Sequence, residues 1–91
     1  MRVIWQARAI SDVARLVEYI AKENPVAPRQ IGQELVVAGD SLAVFPGRGR
    51  RGVDPSTREL VTIRPYVIVY QLDEAGNATI LNVWHSAQDR P

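Results

Sequence analysis

Residues 57–85, "TRELVTIRPYVIVYQLDEAGNATILNVWH", set the architecture of the chain. Three strand-like runs lie end to end in this stretch: "TRELVTIR", "YVIVYQL" and "ATILNVWH". All are rich in β-branched and aromatic residues, which suit a pleated, half-buried surface. Pro65 separates the first two runs, so that link is tight. "DEAGN" at 73–77 separates the second and third, with Gly76-Asn77 supplying the turn. Two successive hairpins give an antiparallel meander. "YVIVY" is apolar at every position, which predicts a central strand buried on both faces.

Toward the N-terminus the period changes. In "AISDVARLVEYIAKEN", residues 9–24, Ile10, Val13, Ala14, Val17, Ile20 and Ala21 recur at the spacing of one helix face. Asp12, Arg15, Glu18 and Lys22 fall largely on the other side. Asn24-Pro25 ends this helix, because a residue before proline is pushed out of the α region. A second helix starts at Pro28, whose missing N–H costs nothing in a first turn. Its apolar stripe is Ile31, Leu35, Ala38, Leu42 and Phe45, and Pro46-Gly47 stops it. Gly32 and Gly39 lie near one face of this helix, where each costs about 1 kcal/mol relative to alanine. Close approach of the neighbouring helix is the expected offset. "RVIW" at 2–5 reads as a short strand. The order is therefore β-α-α-β-β-β: an α+β fold in which an N-terminal strand and a helical hairpin pack on an antiparallel sheet, as a single domain over residues 1–91.

Composition narrows the chemistry. A hydrophobic share of 46% over 91 residues supports one modest core and argues against disorder. Without cysteine there is no disulfide framework and no thiolate chemistry. His85 is the only histidine, so a zinc site is not expected, and no cofactor motif is legible. No apolar run approaches the ~20 residues that span a bilayer, and a soluble cytoplasmic protein is the expectation.

The charge is unevenly placed. The formal net charge is +1, yet residues 46–64 carry five arginines against Asp54 and Glu59, a local net of +3. The remaining 72 residues net to −2. Within "GRGRRGVDPSTREL", residues 47–60, stand Arg48, Arg50, Arg51 and Arg58 among three glycines. Outward-facing backbone N–H groups and planar guanidinium forks together suit an oxyanion. The plainer reading is a solvated loop whose arginines pair with Asp54, Glu59 and helix carboxylates. It is no Walker loop and no dinucleotide fingerprint, since neither a lysine nor a helix follows the glycines. On an alternating strand Arg58, Leu60, Thr62 and Arg64 would share one face, placing Arg58 and Arg64 in one positive patch. Such charges also guard a sheet edge against aggregation. His85 ends the last run and could serve as a general acid or base, or simply as a hydrogen-bonded strand end. Tyr66 and Tyr70 read as core or sheet-surface residues, and Trp5 and Trp84 as core or groove anchors.

Taken together, "GRGRRGVDPSTREL", "YVIVY" and "ATILNVWHSAQDRP", behind a helical hairpin containing "LVEYIAKENPVAP", resemble the RelE/ParE superfamily of bacterial type II toxins over nearly the whole chain. The resemblance implies one of two activities. RelE-like members are ribosome-dependent endoribonucleases that cut mRNA, often with a C-terminal tyrosine or a histidine-tyrosine pair. ParE-like members poison DNA gyrase and are not nucleases. Here Ser86 follows His85 where many nucleases carry tyrosine, the tail "SAQDRP" holds none, and the lysine-rich catalytic set is absent. For a nuclease only His85, Arg58 and Arg64 and the loop arginines remain, and arginines supply acid–base chemistry poorly because they stay protonated. That favours the ParE-like reading, an inhibitor without bond-breaking chemistry.

The resemblance also implies partners. A cognate ParD-like antitoxin would neutralise the chain in a hetero-oligomeric complex and reach operator DNA on its behalf, and DNA gyrase would be the target. Arg48, Arg50, Arg51, Arg58 and Arg64 would meet the target or the antitoxin. Leu16, Val36, Val37 and Val44 are aliphatic residues in excess of one buried stripe, and they would line a groove for an antitoxin helix.

Overall fold

The computed structural model describes residues 2–23, 28–61 and 64–86. The elements run β1 (Val3–Trp5), α1 (Ala7–Glu23), α2 (Pro28–Asp40), a 3-10 turn (Ser41–Ala43), β2 (Arg50–Arg51), β3 (Arg58–Leu60), β4 (Tyr66–Leu72) and β5 (Ala78–His85). They form one five-stranded sheet in the order β1-β5-β4-β3-β2. The meander expected from residues 57–85 is present: β3 to β4 and β4 to β5 pair antiparallel. "YVIVY" is the central strand, with Val67 and Ile68 both fully buried although they point to opposite faces. The N-terminal strand closes the other edge. It runs parallel to β5, with Val3 opposite Ala78 and Trp5 opposite Ile80.

Both helices cover one face of the sheet. Leu60, Ile68, Tyr70, Ala78, Ile80 and Val83 meet Ala9 and Leu16 of α1 and Leu35, Ala38 and Leu42 of α2 and its extension. Each fully buried Leu or Ile contributes about 1.5–3 kcal/mol. Gly32 abuts Val17, late in α1, while Gly39 abuts Trp5, just before α1 begins. The two helices are therefore antiparallel. The close approach of the neighbouring helix expected of these glycines holds for Gly32. At Gly39, however, the neighbours are the Trp5 ring and Ile80 of the sheet, where a Cβ would come within 2.8 Å of Ile80 Cδ1.

Four further expectations change. First, the buried face of α1 is rotated. Leu16 is 7% exposed and lies in the core, whereas Ile10 is 58% exposed. The cause is Asp12: its Oδ2 accepts the backbone N–H of Val83 at 3.0 Å, so a carboxylate assigned to the polar side is buried against β5. That N–H lies just past an irregularity in the β4–β5 ladder, where the register skips Leu81. Second, Phe45 leaves its stripe and is 64% exposed. The α-helix ends at Asp40, and the tighter 3-10 winding that follows turns later residues off the core face. Third, the arginine-rich connection contains a strand of its own, β2. Fourth, β3 is only three residues long; Thr62 and Ile63, on which the longer alternation rested, lie outside the described residues, as does the Asn24-Pro25 helix end. Among the described residues no helix is long and apolar enough to cross a membrane.

Candidate functional site

The arginine-rich segment is held in a fixed shape by the central strand. Tyr70 projects from β4 into the core side and is fully buried. Its hydroxyl accepts the backbone N–H of Gly49 at 2.9 Å and donates to the carbonyl of Pro46 at 2.8 Å. Gly49 is buried there, and a Cβ on it would come within 2.5 Å of that hydroxyl oxygen. Arg58 Nη1 then donates to the carbonyls of Gly47 (3.3 Å) and Gly49 (3.0 Å). A phenol hydroxyl and a guanidinium thus satisfy the loop backbone from two sides, which a solvated loop would leave to water.

The other loop arginines have separate assignments. Arg48 Nη1 donates to Ser41 Oγ at 2.7 Å, joining the loop to the end of α2. Arg50 stands opposite Glu59 across β2–β3 and donates to Glu59 Oε1 from Nη2 (3.0 Å) and Nε (3.2 Å). Glu59 is buried, so this pair carries more weight than a surface ion pair. Arg51 is exposed and stands opposite Arg58. Asp54, named as a possible arginine partner, instead accepts the N–H and hydroxyl of Ser56 at 2.9 and 2.8 Å. Those bonds, the backbone one first, hold its carboxyl below the usual carboxylate range.

Arg64 and His85 belong to a different place. Arg58 is opposite Tyr70, while Arg64 sits two residues before Tyr66, whose partner across the ladder is His85. Tyr66 and Tyr70 are four residues apart on β4, roughly 13 Å at the rise of a strand. The structure therefore gathers Arg48, Arg50, Arg51 and Arg58 at one end of the sheet and sets Arg64 and His85 toward the other. The His85 ring meets the Tyr66 ring edge-on, with centroids 5.5 Å apart and an interplanar angle of 87°. Burial, and secondarily Tyr19, raise the Tyr66 phenol above its ordinary range.

The helical face divides the expected groove residues. Val36 lines an apolar cleft of about 500 Å³ with Trp5, Ile10, Val13, Ala14 and Asp40. Trp5 Nε1 donates to Asp40 Oδ1 at 3.0 Å at its mouth. Val37 lines a second cleft of about 550 Å³ that ends at Ser41 and Arg48. Val37 and Val44 are 68% and 70% exposed; Leu16, in the core, is not available to a partner. Ile10 was missed because the stripe spacing placed it inside. Its exposure follows from the rotation that Asp12 imposes.

Comparisons with known proteins agree with this architecture. The chain of a chromosomal ParDE toxin–antitoxin system from P. aeruginosa superposes with a TM-score of 0.82 over 93% of this chain and 95% of that one, at 20% identity, a likeness of fold. Toxin RelE2 of Caulobacter vibrioides is 37% identical over 87 residues, 96% of this chain and 97% of the relative. Toxin RelE1 of the same organism is 34% identical over 91 residues, 97% of this chain and 96% of the relative. The family described as "ParE toxin of type II toxin-antitoxin system, parDE" matches residues 3–90. That match runs along nearly the whole length, and the chain belongs to the ParE toxin family of type II toxin–antitoxin systems.

Proposed function

We propose that this chain is a toxin that inhibits DNA gyrase by binding, without cutting a bond itself, and that a ParD-like antitoxin neutralises it. One observation carries the mechanism. Arg58 stands opposite Tyr70 and anchors the arginine-rich loop toward that end of β4, whereas His85 stands opposite Tyr66, four residues away along the strand. Phosphodiester cleavage needs proton transfer and charge stabilisation at the same phosphorus. Roughly 13 Å of strand separates His85 from the loop arginines, and of the five arginines only Arg64 stands toward its end. What the loop offers is a rigid, preorganised cationic surface, which suits recognition of a macromolecule.

The antitoxin would occupy the helix face. The cleft lined by Trp5, Ile10, Val13, Ala14 and Val36 is apolar, which suits the apolar anchors of a partner helix. Purified protein added to gyrase should block supercoiling and leave gyrase-linked DNA breaks, and the product of the neighbouring reading frame should reverse both. Unimpaired supercoiling at a large excess of toxin rules the mechanism out.

A second reading has one observation in its favour. Tyr66 packs edge-on against His85, and Arg64 lies two residues away in sequence, so a titratable imidazole, a phenol and a cation share one end of β4. A RelE-like endoribonuclease would draw on that set. Cleavage of ribosome-bound mRNA by the purified chain would support it.

A further inference from the structure

β2 is two residues long, and its side chains leave opposite faces of the β2–β3 ribbon. On one face Arg50 stands opposite Glu59, a complementary pair closed at 3.0 Å. On the other face Arg51 stands opposite Arg58, two cations at directly paired positions. Like charges so placed destabilise a sheet. No carboxylate among the described residues relieves them. Asp54 is committed to Ser56, Glu59 is on the other face with Arg50, and among the described residues no carboxylate lies within ion-pair distance of Arg51 or Arg58. Arg58 is also fixed in place, because Nη1 donates to the carbonyls of Gly47 and Gly49. Between the two arginines opens a cleft of about 490 Å³, completed by Pro55, Ser56, Thr57 and Leu72.

We infer that the Arg51–Arg58 cleft is a carboxylate subsite that receives an Asp or Glu side chain from the antitoxin. The partner's identity rests on the toxin reading; the subsite's chemistry does not. A guanidinium held rigid beside a second one offers parallel N–H donors to the two oxygens of a carboxylate, and the incoming charge removes the like-charge conflict. Nucleic acid suits it less well. Phosphate-backbone affinity comes from neutralising several phosphates at once. Here Arg48 and Arg50 are turned to Ser41 and Glu59, and the whole chain carries a net charge of only +1.

The test is an NMR titration of the arginine Nε–H signals of the full-length ¹⁵N-labelled protein. The probes are an acetylated, amidated tetraglutamate peptide, inorganic phosphate and a short single-stranded oligonucleotide. The peptide should shift the Arg51 and Arg58 signals saturably and leave Arg64 unmoved. Arg51→Gln should weaken the peptide by about tenfold, the loss of one charge-assisted contact. Arg51→Glu, which places a carboxylate opposite Arg58, should abolish peptide binding and raise the Tm of the free chain by about 2–5 °C. A uniform response of all exposed arginines, an unchanged Tm in Arg51→Glu, or saturation by phosphate or oligonucleotide at lower concentration than by peptide would each overturn the assignment. No target or antitoxin enters the titration. Its failure therefore leaves the toxin reading standing, and a chain that binds the peptide but does not inhibit gyrase sinks the gyrase reading alone.

Discussion

The hydroxyl of Tyr70, on the central strand, receives the backbone N–H of Gly49 at 2.9 Å, twenty-one residues earlier in the chain. The same oxygen donates to the Pro46 carbonyl at 2.8 Å. One phenol thereby fixes both the end of the helical half and the start of the arginine loop. Tyr70→Phe keeps the ring and strands the buried Gly49 N–H and the half-buried Pro46 carbonyl. The expected cost is about 1–3 kcal/mol, read by urea denaturation. Amide exchange at Gly49 should accelerate by more than the global loss of stability explains, and an unchanged Gly49 exchange rate would show that the arginine contacts hold the loop without the phenol.

The arginines of this loop are unequal, and replacing them singly should show it. Arg50 bonds a buried carboxylate, whereas Arg48 meets a hydroxyl and Arg51 faces a cleft. Because Arg50 itself is largely exposed, Arg50→Ala is expected to cost only about 1–2 kcal/mol, less than a fully buried pair. Arg50→Ala combined with Glu59→Gln should recover most of that loss. Arg51→Ala should leave thermal stability level or slightly raised. Thermal melts of the four proteins decide the point: equal losses for Arg50→Ala and Arg51→Ala would contradict the pairing.

Much of this was legible in the sequence. "YVIVY" announces a strand buried on both faces because no polar residue interrupts it, and it is the middle strand. Gly32 marks the close approach of α1, as its cost in a helix demands, whereas Gly39 makes room for Trp5 and Ile80 of the sheet. The errors share a physical origin: a local pattern was overruled by a contact distant in sequence. Asp12 is buried because Val83, seventy-one residues away, has an N–H in need of an acceptor. Leu16 and Ile10 exchange places as a result. β2 escaped notice because two arginines carry no strand signal; their pairing with Arg58 and Glu59 creates the strand. The grouping of Arg58 with Arg64 followed from strand alternation alone, although six residues of extended chain would set them roughly 20 Å apart.

Alkaline pH offers a probe of the His85 end. Burial raises the Tyr66 phenol above its ordinary range, so the folded state holds this proton more tightly than the unfolded chain does. Stability from this group is complete below the unfolded phenol pKa, near ~10, and is lost as pH rises through the folded value. The wild-type Tm should fall more steeply above that pH than the Tm of Tyr66→Phe. Superimposable alkaline profiles would place the phenol in water.

The helix face is expected to govern neutralisation and to leave target inhibition alone. Val36 and Ile10 line the apolar cleft while remaining partly exposed, so a charge there costs the fold little. Val36→Asp should lower antitoxin affinity by about 2 kcal/mol or more, the loss of a buried apolar anchor, measured by calorimetry with the neighbouring frame's product. Its inhibition of gyrase should match the wild type. Full antitoxin affinity in this variant would move the antitoxin to another surface.

The central claim is that the chain acts on gyrase through a bound surface and not on RNA through His85. The most direct measurement induces the chain without its antitoxin, as wild type and as His85→Ala, and follows gyrase-linked DNA breaks and mRNA integrity in the same cells. General acid–base catalysis contributes typically ~10²–10⁴-fold, so an RNA-cleaving mechanism would collapse in His85→Ala. The account expects DNA breaks from both proteins at similar levels and intact mRNA in both. Cut mRNA with the wild type that disappears in His85→Ala, with no DNA breaks in either, would contradict it.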